Sequence, residues 1–266
     1  MTPIPDGVRR LAEAAVRIEG VRAVTLGGSH ATGMAGPGSD IDLHVYWRSP
    51  LAPAPERAAV LATVLDPGTT IHEGTAWGLE DHGVLRGTPV ELVYVELDPL
   101  RAEIDRAIEI GLDGEEFATA VLHSVSTGPL LAATDDELAV LRGRLMVYPE
   151  ATHRRQLEVL PRLLRAYVGQ LAAAHARGDL LFVTHRRYSV QLVWFAALFA
   201  LNRRYHPGEK RLLDHGERCT LQVADQRERW EQVARFGAGD PGLPVALGAL
   251  VTDLLALIPR MPCWTP

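Results

Sequence analysis

Two short stretches of the sequence decide the fold: Leu26–Gly33 reads LGGSHATG, and Ser39–Leu43 reads SDIDL. The residues that lead into the first stretch, Val21–Leu26, are mostly apolar and predict a short strand that ends at the glycines. Glycines let a backbone approach a phosphate closely, and the N–H groups and hydroxyl of Gly27–Ser29 can donate hydrogen bonds to it. The first stretch therefore predicts a strand followed by a phosphate-binding turn, although Gly-Gly-Ser also occurs in ordinary turns.

The second stretch places carboxylates on a strand. Polar and apolar residues alternate over Asp40–Tyr46, so Asp40 and Asp42 project from one face with Cα atoms ~7 Å apart. Neighbouring carboxylates repel each other, and a hard cation such as Mg²⁺ removes that cost. Glu91, on the predicted strand Val90–Glu96, would complete a trio able to hold two metal ions ~3.5–4 Å apart. Each acid taken alone also fits the solvent-facing side of a strand.

The order of these features resembles the signature of the polymerase-β-like nucleotidyltransferase superfamily, in which a Gly-Ser turn, an Asp-x-Asp strand and a later strand acid follow one another. The resemblance covers about the first hundred residues of the chain and says little about the helical half. It assigns six residues: Gly27, Gly28 and Ser29 would bind the triphosphate, and Asp40, Asp42 and Glu91 would bind two Mg²⁺ ions and carry catalysis. Thr32 departs from the pattern, because many members have a basic or aromatic residue before the glycine.

The remaining pattern divides the chain into two halves. Helical and strand patterns alternate up to about residue 115, and after it helical periodicity dominates and strand signals nearly vanish. The predicted helices cover Asp6–Ile18, Pro53–Val64, Asp98–Ile110, Leu138–Met146, Arg154–Arg177, Arg187–Leu201, Leu221–Arg235 and Val245–Ile258. We therefore predict an α+β fold: a nucleotidyltransferase domain at residues 1–127, with a small mixed sheet flanked by helices, and an all-helical bundle at 128–266 that closes over the nucleotide.

Composition excludes several classes of protein. The chain has 266 residues, 47% of them hydrophobic, which argues against disorder, and a net charge of −6, which argues against long nucleic acid as a partner. Two cysteines, Cys219 and Cys263, cannot form a disulfide framework or a four-ligand zinc site. Without a secretory leader or an apolar run long enough to span a bilayer, we expect a cytoplasmic protein with no membrane partner.

One segment of the second half carries unusual residues. Asn202–Arg211 contains the only asparagine and the only lysine of the chain, Asn202 and Lys210. A Pro-Gly break precedes Lys210, and Arg204 and Arg211 add positive charge. In two-domain small-molecule nucleotidyltransferases, which the chain resembles in outline, a helical domain supplies basic phosphate contacts, so these three cations would meet the triphosphate. A solvated basic patch at a helix end is the alternative.

Together these features predict a metal-dependent enzyme that transfers a nucleoside monophosphate, AMP by preference, from an NTP such as ATP to a hydroxyl of a small molecule, with release of pyrophosphate. A protein hydroxyl, an RNA end and a non-catalytic nucleotide-binding regulator remain open alternatives. The oligomeric state is also open.

His30 and His44 flank the carboxylates but lack metal-ligand spacing. Thr134 and Glu137 match a capping box, which assigns the acids between them to a helix start.

Overall fold

The computed structural model describes residues 4–68, 78–114 and 117–258. The chain divides into two compact units, one formed by Met1–Asp105 with Ser124–Val147, the other by Arg106–His123 with Tyr148–Pro266. The sequence pattern also predicts strands from about Thr70 to Leu97, and the part of that stretch before Gly78 lies outside the described residues, as does Cys263. In the described ranges, every helix is too short or too polar to cross a membrane.

The described residues of the first part of the chain form a sheet and six helices. The strands are β1 (Val21–Leu26), β2 (Ile41–Trp47), β3 (Glu80–Leu85), β4 (Thr88–Glu96) and β5 (Leu130–Ala133). The helices are α1 (Asp6–Ala15), α2 (Gly28–Thr32), α3 (Ala54–Leu61), α4 (Leu97–Glu109), α5 (Ala120–Thr127) and α6 (Glu137–Leu145). The strand order is β3-β4-β2-β1-β5. Only the β2–β4 pair is parallel among the four pairs described, so the sheet is mixed and the predicted α+β class is confirmed.

One face of this sheet is apolar and forms the core of the first unit. Alternate residues of the central strands, such as Leu43, Val45 and Leu92, are fully buried there. Side chains of α1 and α3, including Leu11 and Leu61, join the same cluster. Full burial of one such side chain contributes roughly 1.5–3 kcal/mol. The packing therefore fixes which face each central strand turns inward, and it leaves Asp42 on the opposite face.

A two-residue turn sets the register between β3 and β4. Arg86 and Gly87 both have positive φ, 51° and 79°, as a tight hairpin turn requires. The carboxylate of Asp66 accepts hydrogen bonds from the backbone N–H groups of Arg86 and Gly87, both at 2.8 Å. Leu85 consequently pairs with Thr88, and each residue further back along β3 has a fixed partner on β4.

The expectation that strands nearly vanish after residue 115 is wrong, because β5 forms the edge of the sheet. It pairs with β1, Ala23 lying opposite Ala133. Its four residues, LLAA, are half-exposed and too few to show alternation, so the sequence pattern could not reveal them. The first compact unit thus extends beyond residue 127 to Val147. That residues 1–127 carry out nucleotide transfer and residues 128–266 close over the nucleotide remains a prediction about function.

The start of α6 also differs from the predicted capping box. Thr134 donates its hydroxyl hydrogen to the carbonyl of Arg22 in β1 rather than capping the helix. Asp135 accepts from the backbone N–H of Glu137 instead, and the Glu137 carboxylate pairs with Arg48 at 2.9 Å. The acids do lie at a helix start, as expected, but Thr134 anchors β5 to the sheet.

The second unit is helical. Its long helices are α7 (Glu150–Ala176), α8 (Leu180–Leu201), α10 (Gln226–Arg235) and α11 (Gly242–Leu257), with a short α9 (Leu212–Gly216). Helix α8 begins seven residues before the predicted Arg187, because Asp179 caps it by accepting from the backbone N–H of Phe182 at 3.2 Å. An aromatic group centred on Trp194, Phe195 and Trp230 fills the core. This confirms the helical C-terminal part.

Candidate active site

The glycine turn after β1 lies directly on side chains of β2. A Cβ added to Gly28 would stand 1.6 Å from Oδ2 of Asp42, and one added to Gly27 would stand 2.6 Å from Cε1 of His44. Gly28 also has a φ of +53°, a conformation that favours glycine. The backbone N–H of Gly27 donates to the carbonyl of Asp42 at 2.8 Å. Gly28 is therefore required for the turn to contact the carboxylate of Asp42, and Gly27 for the turn to lie against His44.

Ser29 stands in the short helix α2 that follows the turn. Its Oγ is buried and has no hydrogen-bond partner among the residues that the structure describes. A buried hydroxyl without a partner costs about 1–3 kcal/mol, which a ligand oxygen would recover. Thr32, the departure from the family pattern, donates its hydroxyl to the carbonyls of Gly28 and Ser29, both at 3.3 Å. Thr32 thus stabilises the turn of α2 in place of the expected basic or aromatic contact.

Three predicted acids converge on the face of the sheet away from the core. Asp42 on β2 lies in register with Glu91 on the parallel strand β4, and Asp40 immediately precedes β2. One oxygen of each carboxylate can be chosen so that the three lie within 4.8 Å of one another. Asp40 is exposed and the other two are half-buried. The prediction that these carboxylates come together follows from the register of β2 and β4.

The chemistry of this group fits a divalent cation. Three carboxylates so close together repel one another, and partial burial increases the cost. Hard divalent ions prefer oxygen donors of this kind, and the absence of a Cβ at Gly28 is what allows the Asp42 carboxylate to lie against the glycine turn. On the same strand, burial lowers the pKa of His44 to about 4, so its imidazole is neutral at pH 7 and does not supply the positive charge.

Two further residues of this face were missed by the sequence analysis. His82 on β3 pairs with Glu91, and Glu80 shares the face of His82 because alternate residues of a strand point the same way. Glu80, His82 and Glu91 also form a group whose donor atoms lie within 4.8 Å. A signal existed: the turn at Arg86–Gly87 fixes a hairpin register that places His82 opposite Glu91.

The opposite face of β3 holds a different carboxylate. Asp81 is 0% exposed and accepts two hydrogen bonds from Arg57 on α3, from Nε and Nη2, both at 2.9 Å. The hydroxyl of Tyr94 donates to it at 2.7 Å. This buried, fully hydrogen-bonded ion pair attaches β3 to the helical layer, and it thereby fixes which face carries Glu80 and His82.

The three predicted basic residues lie in the second unit. Arg204, Lys210 and Arg211 are exposed on the segment between α8 and α9. The lone asparagine anchors this segment, because the side-chain amide of Asn202 donates to the carbonyl of Leu221 and its Oδ1 accepts from the N–H of the same residue, at 2.9 and 2.8 Å. A role for the three cations in nucleotide binding remains a prediction.

The family comparison agrees with this geometry. Residues 8–109 match the model of a family described as the nucleotidyltransferase domain. A crystal structure of a nucleotidyltransferase-like protein from Exiguobacterium sibiricum is similar to the chain, with 17% identity and a TM-score of 0.42 over 95% of this chain and 73% of that chain. A search of the curated proteins gave no match.

The matched range contains the glycine turn and all three converging acids. Residues 8–109 are therefore similar to a nucleotidyltransferase domain, in agreement with the resemblance noted in the sequence. Domains of this class use a nucleoside triphosphate and a divalent metal.

Proposed function

We propose that this nucleotidyltransferase moves a nucleoside monophosphate, AMP by preference, from ATP to a hydroxyl of a small molecule and releases pyrophosphate. One observation carries the proposal: three carboxylates converge beside a glycine turn that lies against one of them. Asp42 belongs to both features, since it faces Glu91 across the strands and touches Gly28. The structure thus supports a site at which a cation and a phosphate are bound next to each other.

Asp40, Asp42 and Glu91 are the residues that would hold two Mg²⁺ ions. When bound, such ions supply positive charge at the reacting phosphate and its leaving group, which favours in-line displacement. The residues themselves contribute fixed positions. Asp42 and Glu91 are held by neighbouring strands in register, and Asp40 follows a loop that is free of that constraint. We therefore assign the main positional role to the two strand residues.

Ser29 and the glycine turn would bind the triphosphate. The buried Oγ of Ser29 can donate to a phosphate oxygen, and it has no other partner among the described residues. The first N–H groups of a helical turn have no acceptor within the turn and point outward. Gly28 is exposed, so a phosphate can approach the N–H groups at the start of α2.

Arg204, Lys210 and Arg211 would add positive charge to the triphosphate from the second unit. Their support is exposure on a segment anchored at Asn202, together with the resemblance to two-domain enzymes of this class. Lysine is a compact charge suited to a phosphate oxygen.

The Lys210→Ala variant should bind NTP about tenfold more weakly, which corresponds to about 1.4 kcal/mol. Equilibrium binding of a fluorescent ATP analogue measures this, with Arg162→Ala, an exposed cation on α7, as the control. Equal loss in both variants would contradict the assignment.

A small molecule is the acceptor that the observations favour. The net charge of −6 makes a long RNA unfavourable, because nucleic-acid binding draws most of its affinity from cationic contacts with phosphates. A protein hydroxyl and an RNA end are the alternative acceptors. A non-catalytic regulator is disfavoured by the presence of all three acids, which nucleotide binding alone does not need.

Transfer of a labelled nucleotide tests the whole proposal. The chain is incubated with Mg²⁺ and each α-labelled NTP together with a panel of hydroxylated small molecules, tRNA or candidate proteins. We expect labelled small-molecule product, most rapidly with ATP, and none with Asp40→Asn. Asp6→Asn, an exposed acid of α1, is the matched control and should keep full transfer. Product from Asp40→Asn at the wild-type rate would refute the metal assignment. If only RNA or only protein became labelled, that molecule, and not a small molecule, would be the acceptor.

A further inference from the structure

Three histidines of the second unit lie together where the α8–α9 segment, residues 202–211, meets α5. His206 belongs to this segment, His123 to α5 and His215 to α9. The rings of His123 and His215 meet edge to face with their centroids 5.7 Å apart, and both lie close enough to His206 to act on its charge. His206 is only 2% exposed, and the other two are half-buried. We call these three residues the histidine cluster.

His206 attaches the α8–α9 segment to the rest of the unit. Its backbone N–H donates to Oγ1 of Thr119 at 2.8 Å, and its Nδ1 accepts from the backbone N–H of Gly208 at 3.1 Å. Phe117 and Phe199 pack edge to face against the imidazole, with ring centroids 4.9 and 5.1 Å from its own. The imidazole is therefore fixed by one hydrogen bond that it accepts and by two apolar rings.

A proton added to the imidazole of His206 is incompatible with these contacts. Because Nδ1 accepts from Gly208, the neutral ring carries its hydrogen on Nε2. An imidazolium has hydrogen on both nitrogens and cannot accept a hydrogen bond. Protonation therefore breaks the bond from Gly208, and it places a positive charge on a side chain that is almost completely removed from water.

The charged groups around the histidine cluster also oppose protonation. The guanidinium of Arg204 disfavours a positive charge on either of the other two histidines, and that of Arg218 disfavours one on His215. The carboxylate of Asp214 favours a charge on His215, but Arg227 already pairs with this carboxylate at 2.5 Å. The surroundings of the cluster thus favour neutral imidazoles.

The acid–base properties of the cluster agree with this geometry. Burial, together with the neighbouring imidazoles, lowers the pKa of His206 to about 3 and contributes to lowering the pKa of His215 to about 4. Burial also lowers the pKa of His123, although a hydrogen bond to the backbone of Tyr205 opposes the shift. The thiol of Cys219 donates to the carbonyl of His215 at 3.8 Å, and burial raises the pKa of this thiol, so it adds no charge at pH 5 to 7.

The direction of the pH effect follows from these shifts. A histidine released into water has a pKa of about 6.5, which is above its pKa in the packed cluster. The contribution of the cluster to stability is therefore fully present above about pH 6.5 and is lost progressively as the pH falls below that value. One histidine that remains neutral when packed and titrates normally when released favours release by a factor of about 30 at pH 5.

We propose that the histidine cluster is an acid-sensitive switch, which holds the α8–α9 segment on the second unit at neutral pH and releases it as the pH falls towards 5. The segment carries Arg204, Lys210 and Arg211, so release changes the position of three cations. Weaker nucleotide binding in acid is a consequence that rests on the proposed function, because it requires these cations to meet the triphosphate. The switch itself does not depend on that function.

Hydrogen–deuterium exchange of the full chain at pH 7 and pH 5, without nucleotide, tests the switch. After correction for the pH dependence of intrinsic exchange, protection of a peptide spanning 202–211 should fall at least about tenfold at pH 5, and protection of α7 should fall less than about threefold. His206→Asn keeps an acceptor for Gly208 and does not titrate, so its loss of protection should be at least about fivefold smaller than that of the wild type. His185→Asn, at an exposed position of α8, is the matched control and should behave as the wild type does.

Three results would overturn the proposal. They are unchanged protection of 202–211 in the wild type at pH 5, an equal loss in α7, which would indicate global unfolding, and a wild-type loss in His206→Asn. Circular dichroism at pH 7 establishes that each variant is folded. Binding of a fluorescent ATP analogue to the wild type and to His206→Asn at both pH values then tests the consequence for nucleotide. A released segment with equal pH dependence of binding in the two proteins would contradict the role of the cations and leave the switch established.

Discussion

The sheet of the first unit carries carboxylates on both faces, and the two faces treat them in opposite ways. Asp81, on the core face, is 0% exposed and receives two hydrogen bonds from Arg57. Asp42 and Glu91, on the other face, are half-buried and lie against like charges. On β3 itself, Glu80 on the site face and Asp81 on the core face are adjacent residues, so the difference arises from side-chain direction and not from local composition.

This difference separates stability from activity within one sheet. Arg57 neutralises the charge of Asp81, so this ion pair contributes to the free energy of unfolding without any bound ligand. The acids of the other face repel one another, and a bound cation would offset that cost. An acid on the core face should therefore matter for folding, and an acid on the site face should matter for ligand binding and turnover.

The largest effect should come from Asp42→Asn. Loss of this carboxylate should reduce transfer at least a thousandfold, a cost of about 4 kcal/mol in transition-state stabilisation. The free energy of unfolding without metal should stay the same or rise slightly, because a like charge has been removed. Parallel measurements of kcat/KM and of urea unfolding test both halves. A strongly destabilised Asp42→Asn protein would abolish the distinction between the faces.

The opposite result is expected for Asp81→Asn, the same substitution on the core face of the sheet: stability should fall and activity should change little. Removing one partner of a buried ion pair costs about 3–5 kcal/mol, because the other charge remains buried. Urea unfolding should show a loss of this size, while kcat at a temperature where the variant is still folded should stay within a few-fold of wild type. Unchanged stability would mean that Arg57 finds another partner.

Gly28→Ala tests how closely the turn and Asp42 depend on each other. The new Cβ would stand 1.6 Å from Oδ2 of Asp42, so the carboxylate must move, and transfer should fall about a hundredfold, or about 2.7 kcal/mol. Gly33→Ala is the matched control: it has a φ of +69° but open space around it, so it should cost only about 1–2 kcal/mol of stability from backbone strain. Similar activity in the two variants would contradict a role for the close approach.

The smallest effect concerns Asp66, which holds the hairpin that orients both faces of β3. Hydrogen bonds from the N–H groups of Gly87 and Arg86 lower the pKa of this carboxyl. Its contribution to stability is therefore present above the unfolded-state pKa and is lost as the pH falls through the lower folded-state pKa. Asp66→Asn should slightly lower stability at pH 7 and flatten the pH dependence below about pH 4. Unfolding midpoints between pH 3 and 7 measure this, and an unchanged acid limb would exclude the linkage.

The sequence predicted the residues that obey local rules. The alternation around Asp42 and the glycines of the turn could be read because period-two patterns and glycine spacing are properties of neighbouring residues. Glu80 and His82 could not be read in the same way, since their place depends on a hairpin register set by Arg86 and Gly87. The edge strand β5 was missed for a related reason: its four residues gain their structure from β1 and not from their own pattern.

Asp81 shows that a residue that matters for stability can also escape prediction from the local sequence. An aspartate between a glutamate and a histidine has the composition of an exposed polar strand, and nothing local distinguishes it from Glu80. Its burial depends on Arg57, which lies 24 positions earlier in the chain on α3. Contacts of this range follow from the packing of helix on sheet, which the sequence pattern of one segment does not contain.

Because the turn at Arg86–Gly87 fixes the pairing of β3 with β4, the hairpin cannot lengthen or shorten by one residue without a change of register. An insertion or deletion there that slid β3 by one position along β4 would exchange its two faces. Asp81 would then leave Arg57 and join the exposed acids, while His82 would enter the apolar core. Natural or engineered length variation is therefore tolerable in this hairpin only in steps of two residues along β3, or in loops that leave the pairing of Leu85 with Thr88 intact.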